Sequence, residues 1–359
     1  MRNRVLMILC SALAVLLFAQ ACTKDKDDGD HSDHQDIPSV LEQGELSFLG
    51  ARYSSDSQGA IPYYIKGGTA YPVNYAGETP VISAIDATRN GVYLAGFTPS
   101  RSRALLFKDG EELLELQTPN TRYEDAQSVF ADGDDIYVAG SYILASNEKE
   151  RIGVVWKNGE PIFLTDGTYN TVFTSMYVAN GDVYVVGYQT VNKKNISKCW
   201  KNGKEILSSS PDVLSYFNRV YVEEQDVYVA GYSDDLSERK LKLWKNGVLS
   251  NLSSGDPLIR STGLAVENGV SYLAGYRQMG KNNEPLLFKG GEEQNLERLE
   301  GDGQLRVVGL KVYDGNTIVL GINQGPESAQ SILWVNGSRV SLKALQEDIV
   351  IEDFDFQPL

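Results

Sequence analysis

The sequence predicts an all-β chain built from seven repeats of a four-stranded antiparallel unit, and three observations lead there. An apolar string containing glycine recurs about every 45 residues, as VYLAGF, IYVAGS, VYVVGY, VYVAGY, SYLAGY and TIVLGI, with an earlier SFLGAR in the same frame. Its glycines are Gly50, Gly96, Gly140, Gly187, Gly231, Gly275 and Gly321. A second string follows each of them (IKGG, FKDG, WKNG three times, FKGG, WVNG), with Ile65, Phe107, Trp156, Trp200, Trp244, Phe288 and Trp334 in one column and a glycine three residues later. No helix-length 3.6-residue period appears after the N-terminal leader.

Taken in order, residues 1–21 read as an export signal: Arg2 and Arg4 precede an apolar stretch from Val5 to Phe18, and small residues Ala19 and Ala21 follow. The stretch is too short and too N-terminal to read as a membrane span. Cys22 comes next, and the string LLFAQAC resembles the lipobox of bacterial lipoproteins, with Ala19 where that family usually has leucine. The resemblance implies a diacylated Cys22; cleavage by an ordinary signal peptidase after Ala21 is the alternative. Residues 22–44 form an acidic tether. Thr23 to Asp36 contains six Asp, two Lys and no apolar side chain, so burial cannot offset its ordering entropy. An acidic run after a lipid cysteine resembles the surface-export signal of lipoproteins from Bacteroidota, which implies an outer-membrane protein facing the medium.

Charge and composition exclude several function classes. Removal of the leader leaves a net charge of −17, of which about −12 falls on residues 45–359, and such a surface repels phosphate backbones. Nucleic acid is therefore not an expected partner, and the membrane is expected to be reached through the lipid alone. The two histidines, His31 and His34, lie in the tether, so the repeats can assemble no Ser/His/Asp system, His-ligated metal or imidazole base. No cofactor, metal site or catalytic residue is expected. Only Cys199 remains within the repeats, which rules out an intrachain disulfide there.

Within each unit the glycine-containing string is a strand, and the aromatic string closes another. Asn158-Gly159, Asn202-Gly203, Asn246-Gly247 and Asn336-Gly337 mark tight hairpins, because both central residues of a type I′ turn need positive φ. Asn90-Gly91, Asp132-Gly133, Asn180-Gly181, Asn268-Gly269 and Asp314-Gly315 mark a second set before the glycine-containing strand. Four strands every 45 residues or so are the signature of a β-propeller blade, giving a seven-bladed propeller over residues 45–359. The first unit has no clear innermost strand of its own. Two segments could supply it: the C-terminal stretch around Phe354, Asp355 and Phe356, which is the preferred reading, and SVLEQG at Ser39 to Gly44.

In period and strand order the repeats resemble propellers of the kelch and WD-repeat kind. The motif VYVAGY followed by LWKNG is similar to that of secreted or lipid-anchored propeller proteins of the Bacteroidota cell envelope. The paired-glycine kelch mark, the GH and WD pair, the sialidase Asp box and the quinoprotein tryptophan motif are missing, so the resemblance implies a fold and a location and no catalytic residue.

Propeller topology puts both kinds of tight turn on one face and the longer connections on the other. Length variation gathers in the longer connections, where binding usually resides. Aligned units place Ser83, Gln127, Thr174, Asn218, Thr262 and Val308 in one column at the start of the innermost strands. With Tyr123, Asp125, Tyr169, Tyr216, Arg260 and Arg306 nearby, the neutral polar residues of this column make a candidate binding rim suited to sugars or peptide backbones. The competing reading is that the polar column satisfies loop backbone and the aromatics pack between blades. The tryptophan column and Cys199 read as core, and the lysines beside the second turns as a solvated rim. The functional expectation is a lipid-anchored envelope module binding a glycan or protein, with a histidine-independent glycan-active enzyme as the alternative. Glu124, Asp125, Asp86, Asp212 and Asp302 are carboxylates that sequence alone cannot pair.

Overall fold

The computed structural model describes residues 38–53, 60–100, 103–235, 238–253, 258–299, 302–324, 329–340 and 349–359. The leader, Cys22 and most of the tether lie outside the described residues. Seven four-stranded antiparallel sheets form the blades of a β-propeller. Six blades use consecutive strands, with innermost strands Val81–Thr88, Thr121–Asp132, Asn170–Ala179, Leu214–Glu223, Ile259–Glu267 and Leu305–Tyr313 in blades 2 to 7. Blade 1 is composite. Its innermost strand is the C-terminal Val350–Pro358, which pairs antiparallel with Gly44–Tyr53.

Ring closure therefore follows the preferred reading, and the competing segment takes another form. Ser39–Glu42 is a single helical turn, since the edge beside Gly44–Tyr53 is already occupied, and it inserts Val40 into the core. Seven apolar clusters fill the seven spaces between neighbouring blades. The one joining blades 7 and 1 brings Phe354 and Phe356 of the closing strand against Phe48, Ile65, Ile318 and Leu333. All four tryptophans are buried in such spaces, and so is Cys199, whose thiol burial pushes up to about 12.

The repeated glycines have a specific steric task. In every blade the pairing of the two inner strands slips by one residue beside this glycine, as where Phe173 faces Gly187 but Ser175 faces Val186. The skipped residues are Ser83, Gln127, Thr174, Asn218, Thr262 and Val308, the same column that the aligned units pick out. Glu352 of the closing strand is the seventh. Each is the extra residue of a β-bulge, which presses the innermost backbone against its neighbour. A Cβ at Gly187 would lie 2.0 Å from the Val172 carbonyl oxygen, and at Gly140 1.9 Å from that of Asp125. Only glycine fits there.

The Asn-Gly pairs of the second turns adopt the expected geometry, with φ of 49° and 79° at Asn202 and Gly203. The asparagine side chains add a clasp: Asn202 Oδ1 accepts from the Val183 N–H at 2.8 Å while its Nδ2 donates to Asp182 at 2.7 Å. Asn158 and Asn246 do the same in blades 3 and 5. Among the first turns, Asn180-Gly181, Asn268-Gly269 and Asp314-Gly315 have both φ positive. Asn90-Gly91 and Asp132-Gly133 correct the expectation: the strand partners Thr88–Gly91 and Asp132–Asp135 centre those turns one residue away. The lysine rim is more ordered than free solvation implies. Lys157, Lys201 and Lys245 each lie over a tyrosine ring of the preceding strand and pair with Asp135, Asp182 and Asp226 at 2.7 Å.

Candidate functional site

The bulges set what faces the propeller axis. A cavity of 540 Å³ runs along it, lined by all seven innermost strands. Successive levels of these strands present different chemistry, starting nearest the long-connection face. Ser83, Gln127, Thr174, Thr262 and Val308 line the first level. One residue further come Ala84, Ser128, Ser175, Arg219, Gly263, Gly309 and Asp353. Glycine is forced at two of these places by the next blade, because a Cβ on Gly263 would meet Leu310 Cβ at 2.5 Å and one on Gly309 would meet Phe354 at 2.8 Å. Three residues past the bulges stand Asp86, Phe130, Tyr177, Tyr221, Ala265, Lys311 and Asp355.

That third level divides into two arcs. Phe130, Tyr177 and Tyr221 of blades 3 to 5 pack in series, with ring centroids 4.7 and 4.6 Å apart. Burial, followed by the neighbouring Tyr221, raises the Tyr177 hydroxyl above its ordinary range, so it stays protonated. The opposite arc, at blades 7, 1 and 2, is ionic. Lys311 Nζ pairs with Asp355 Oδ1 at 2.5 Å, Asp355 Oδ2 accepts from the Ala87 N–H at 2.6 Å, and Asp86 Oδ2 accepts from the Ala131 N–H at 2.6 Å. Each carboxylate thus satisfies a backbone donor on the free inner edge of the next blade.

Burial, and then the adjacent Asp355 charge and a side-chain hydrogen bond with Asp355, push the Asp86 carboxyl well above the usual carboxylate range, against the pull of Lys311. Burial raises Asp353 to about 6 against the pull of Arg219 and Lys311. For Lys311 burial acts downward, yet the charges of Asp355 and Asp86 outweigh it and raise the ammonium above its ordinary value. Burial lowers Arg219, with Asp353 opposing, though a guanidinium remains charged at any physiological pH.

The rim residues fall into two groups. Ser83, Gln127, Thr174 and Thr262 line the cavity, while Thr174 Oγ1 also donates to the Phe217 carbonyl of the next blade at 3.0 Å. Asn218 accepts from Ser261 Oγ at 3.1 Å, again across blades. Asp125 is buried, accepting from the Ser141 N–H and hydroxyl, from Tyr123 and from Arg151 at 3.1 Å, while Arg151 lies 4.6 Å from the Tyr123 ring centre. Tyr216 stacks on Tyr232 at 4.7 Å, and the Tyr232 hydroxyl accepts from Arg260. Tyr169 is 41% exposed, and Arg306 has a buried Nε without a hydrogen-bond partner. These side chains ring the long-connection face.

Sequence reasoning missed Asp86 with Asp353, Asp355, Arg219 and Lys311 as a group. The available signal was the third position after each bulge, where a column that is aromatic in three blades turns ionic in three others. A second hollow, of 720 Å³, lies between the outer parts of blades 6 and 7. Glu297, on its wall, is committed to the Arg339 N–H at 2.8 Å, and hairpin-turn backbone forms much of its lining. Among the described residues, no group of three or more acidic, cysteine or histidine side chains is arranged to hold a metal ion.

No protein-family model matches the sequence, and no curated protein matches it. Solved structures do resemble the fold. A puromycin-hydrolyzing peptidase of Mycobacterium tuberculosis superposes with a TM-score of 0.53 at 12% identity, covering 85% of this chain and 53% of that one. A prolyl endopeptidase gives a TM-score of 0.51 at 11% identity, covering 82% and 50%. The present chain spans about half the length of these peptidases, and at such identity the likeness concerns the fold alone.

Proposed function

We propose that the protein is a lipid-anchored binding or scaffold module of the outer membrane, facing the medium through Cys22 and its acidic tether, whose long-connection face engages a protein or glycan partner. The observation that supports this most is the repeated association of arginine with tyrosine around that face. Arg52 lies over Tyr63 at 5.0 Å, Arg103 donates to Tyr75, Arg151 lies over Tyr123 and Arg260 over Tyr232 at 5.4 Å. Arginine is enriched in binding hot spots, and here the buried Tyr63, Tyr75 and Tyr232 hold three of these arginines in place before any partner arrives. The likeness to peptidase propellers is compatible with a module working beside an enzyme.

The test is a triple variant, Tyr169→Ala, Tyr216→Ala and Arg260→Ala, read in envelope pull-downs and on a glycan array. The partner retained by the parent protein is expected to be lost at least tenfold, with the melting temperature within a few degrees. Unchanged retention would refute the placement.

A second reading, a glycan-active enzyme using carboxylates, is favoured by one observation: three carboxyl groups, Asp86, Asp353 and Asp355, line the axial cavity, and burial pushes Asp86 well above the usual carboxylate range. Hydrolases of that kind need an acid and a base facing each other across about 5 to 9.5 Å of cleft. Glycan cleavage abolished by both Asp86→Asn and Asp353→Asn would support it.

A further inference from the structure

We propose that the axial cavity is itself a binding site, for a neutral sugar ring of mono- to disaccharide size, held between the Tyr177/Tyr221 arc and the Asp86–Lys311 arc. This does not rest on the loop-face reading, which concerns different side chains.

Four features of the cavity lead to this ligand class. Its 540 Å³ lies within the roughly 300–1,000 Å³ range of small-molecule sites. The charges offset one another inside it: Lys311 is ion-paired with Asp355, Arg219 lies within the field of Asp353, and the Asp86 carboxyl is hydrogen-bonded within the hub to the Ala131 N–H. A charged ligand would have to break the Lys311–Asp355 pair or unbalance the charges around it in a confined space, whereas a neutral one leaves them as they are. One wall is a run of aromatic rings and the other a set of fixed donors and acceptors, so the occupant needs an apolar face and a hydroxyl-bearing edge. Sugar rings have both, with axial C–H groups on one face and equatorial hydroxyls at the perimeter. Finally, Ser128 and Ser175 leave room at the level beside the arcs, toward the long-connection face, and Lys311 is 36% accessible although strands enclose it on all sides.

The experiment uses saturation-transfer NMR and calorimetry with the chain from residue 22 onward, against glucose, galactose, mannose, xylose and N-acetylglucosamine, with glucuronate and glucosamine as charged controls. At least one neutral sugar is expected to bind and to bind at least tenfold tighter than its charged analogue. Ser128→Leu, which fills the cavity without removing a hydrogen bond seen in the structure, is expected to abolish that binding. Tyr221→Phe, which keeps the ring, is expected to change it less than threefold. The rim variant Tyr216→Ala/Arg260→Ala should leave it unchanged. No saturation transfer from any neutral sugar, or binding that survives Ser128→Leu in a protein with native melting behaviour, would overturn the proposal. So would binding lost only in the rim variant, a result that would instead strengthen the loop-face reading. If Ser128→Leu fails to fold, Ser175→Leu provides the same test from the adjacent blade.

Discussion

The two arcs of the hub occupy the same level of the same fold and differ in almost every physical respect. At blades 3 to 5 the third position after the bulge holds Phe130, Tyr177 and Tyr221, packed ring against ring at tilted angles. At blades 7, 1 and 2 it holds the ionisable Lys311, Asp355 and Asp86; Lys311 pairs with Asp355, and the two carboxyl groups accept from backbone N–H groups of the next blade. The aromatic arc coheres through packing within consecutive repeats. Chain closure instead creates the ionic arc, because Asp353 and Asp355 arrive on the C-terminal strand at the seam where the first and last blades meet. The difference teaches that in a repeat protein the periodic positions build the wheel, while the departures from periodicity at one level give its hub a chemistry.

The sharpest way to break the comparison is to remove one buried side chain behind each arc at the equivalent position, two residues after the bulge. Phe354 is 1% exposed and packs between blades 7 and 1, stacked on Phe48 at 6.4 Å between ring centres. Phe354→Ala is expected to cost about 3–5 kcal/mol in denaturant unfolding, enough to open the seam. Val220 occupies the same place in blade 5 at 4% exposure, and Val220→Ala is expected to cost roughly 1–2 kcal/mol, having fewer atoms to lose. Equal losses would mean that the seam is no more vulnerable than any other blade junction.

A smaller effect separates the arcs by pH. The folded state raises Asp353 from 3.8 to about 6, so it takes up a proton more readily than the unfolded chain does. Its contribution to stability is complete below about pH 4 and is lost as pH rises through 6. That rise corresponds to about 3 kcal/mol at most, and water within the cavity reduces this to roughly 1–2 kcal/mol. Asp353→Asn is therefore expected to flatten unfolding free energy against pH between 4 and 6.5, whereas Tyr221→Phe in the other arc should leave the profile's shape unchanged. A parallel profile for Asp353→Asn would show that its surroundings are not desolvated.

How much of this was legible follows from where the information lies. The seven glycines and the aromatic column were readable because each recurs with its structural cause, a bulge or an inter-blade space. The polar column was also readable, although its role as the bulged position became visible only through the slip in pairing around residues such as Thr174 and Asn218. The hub charges were not readable. Asp86 looks like one acid among 48 acidic residues until Asp355, 269 positions away, is brought beside it. Even the seventh bulge, at Glu352, is hidden until the C-terminal strand is assigned to blade 1. The rim shows the opposite limit. Tyr123, Asp125 and Arg260 were found by position, but their mutual contacts are tertiary.

The account's central claim is that the last strand closes the ring beside the first, in the register that pairs Glu45 with Gln357. Opposed residues of an antiparallel pair have Cα atoms about 4.5–5.5 Å apart, within the span of a disulfide. The double variant Glu45→Cys/Gln357→Cys, oxidised and mapped by mass spectrometry, tests it most directly. Quantitative formation of an intrachain 45–357 link in the folded protein, with a raised melting temperature, is the expected result. Thiols that remain free under the same oxidation, or that link only between molecules, would contradict the closed ring and with it the hub built at its seam.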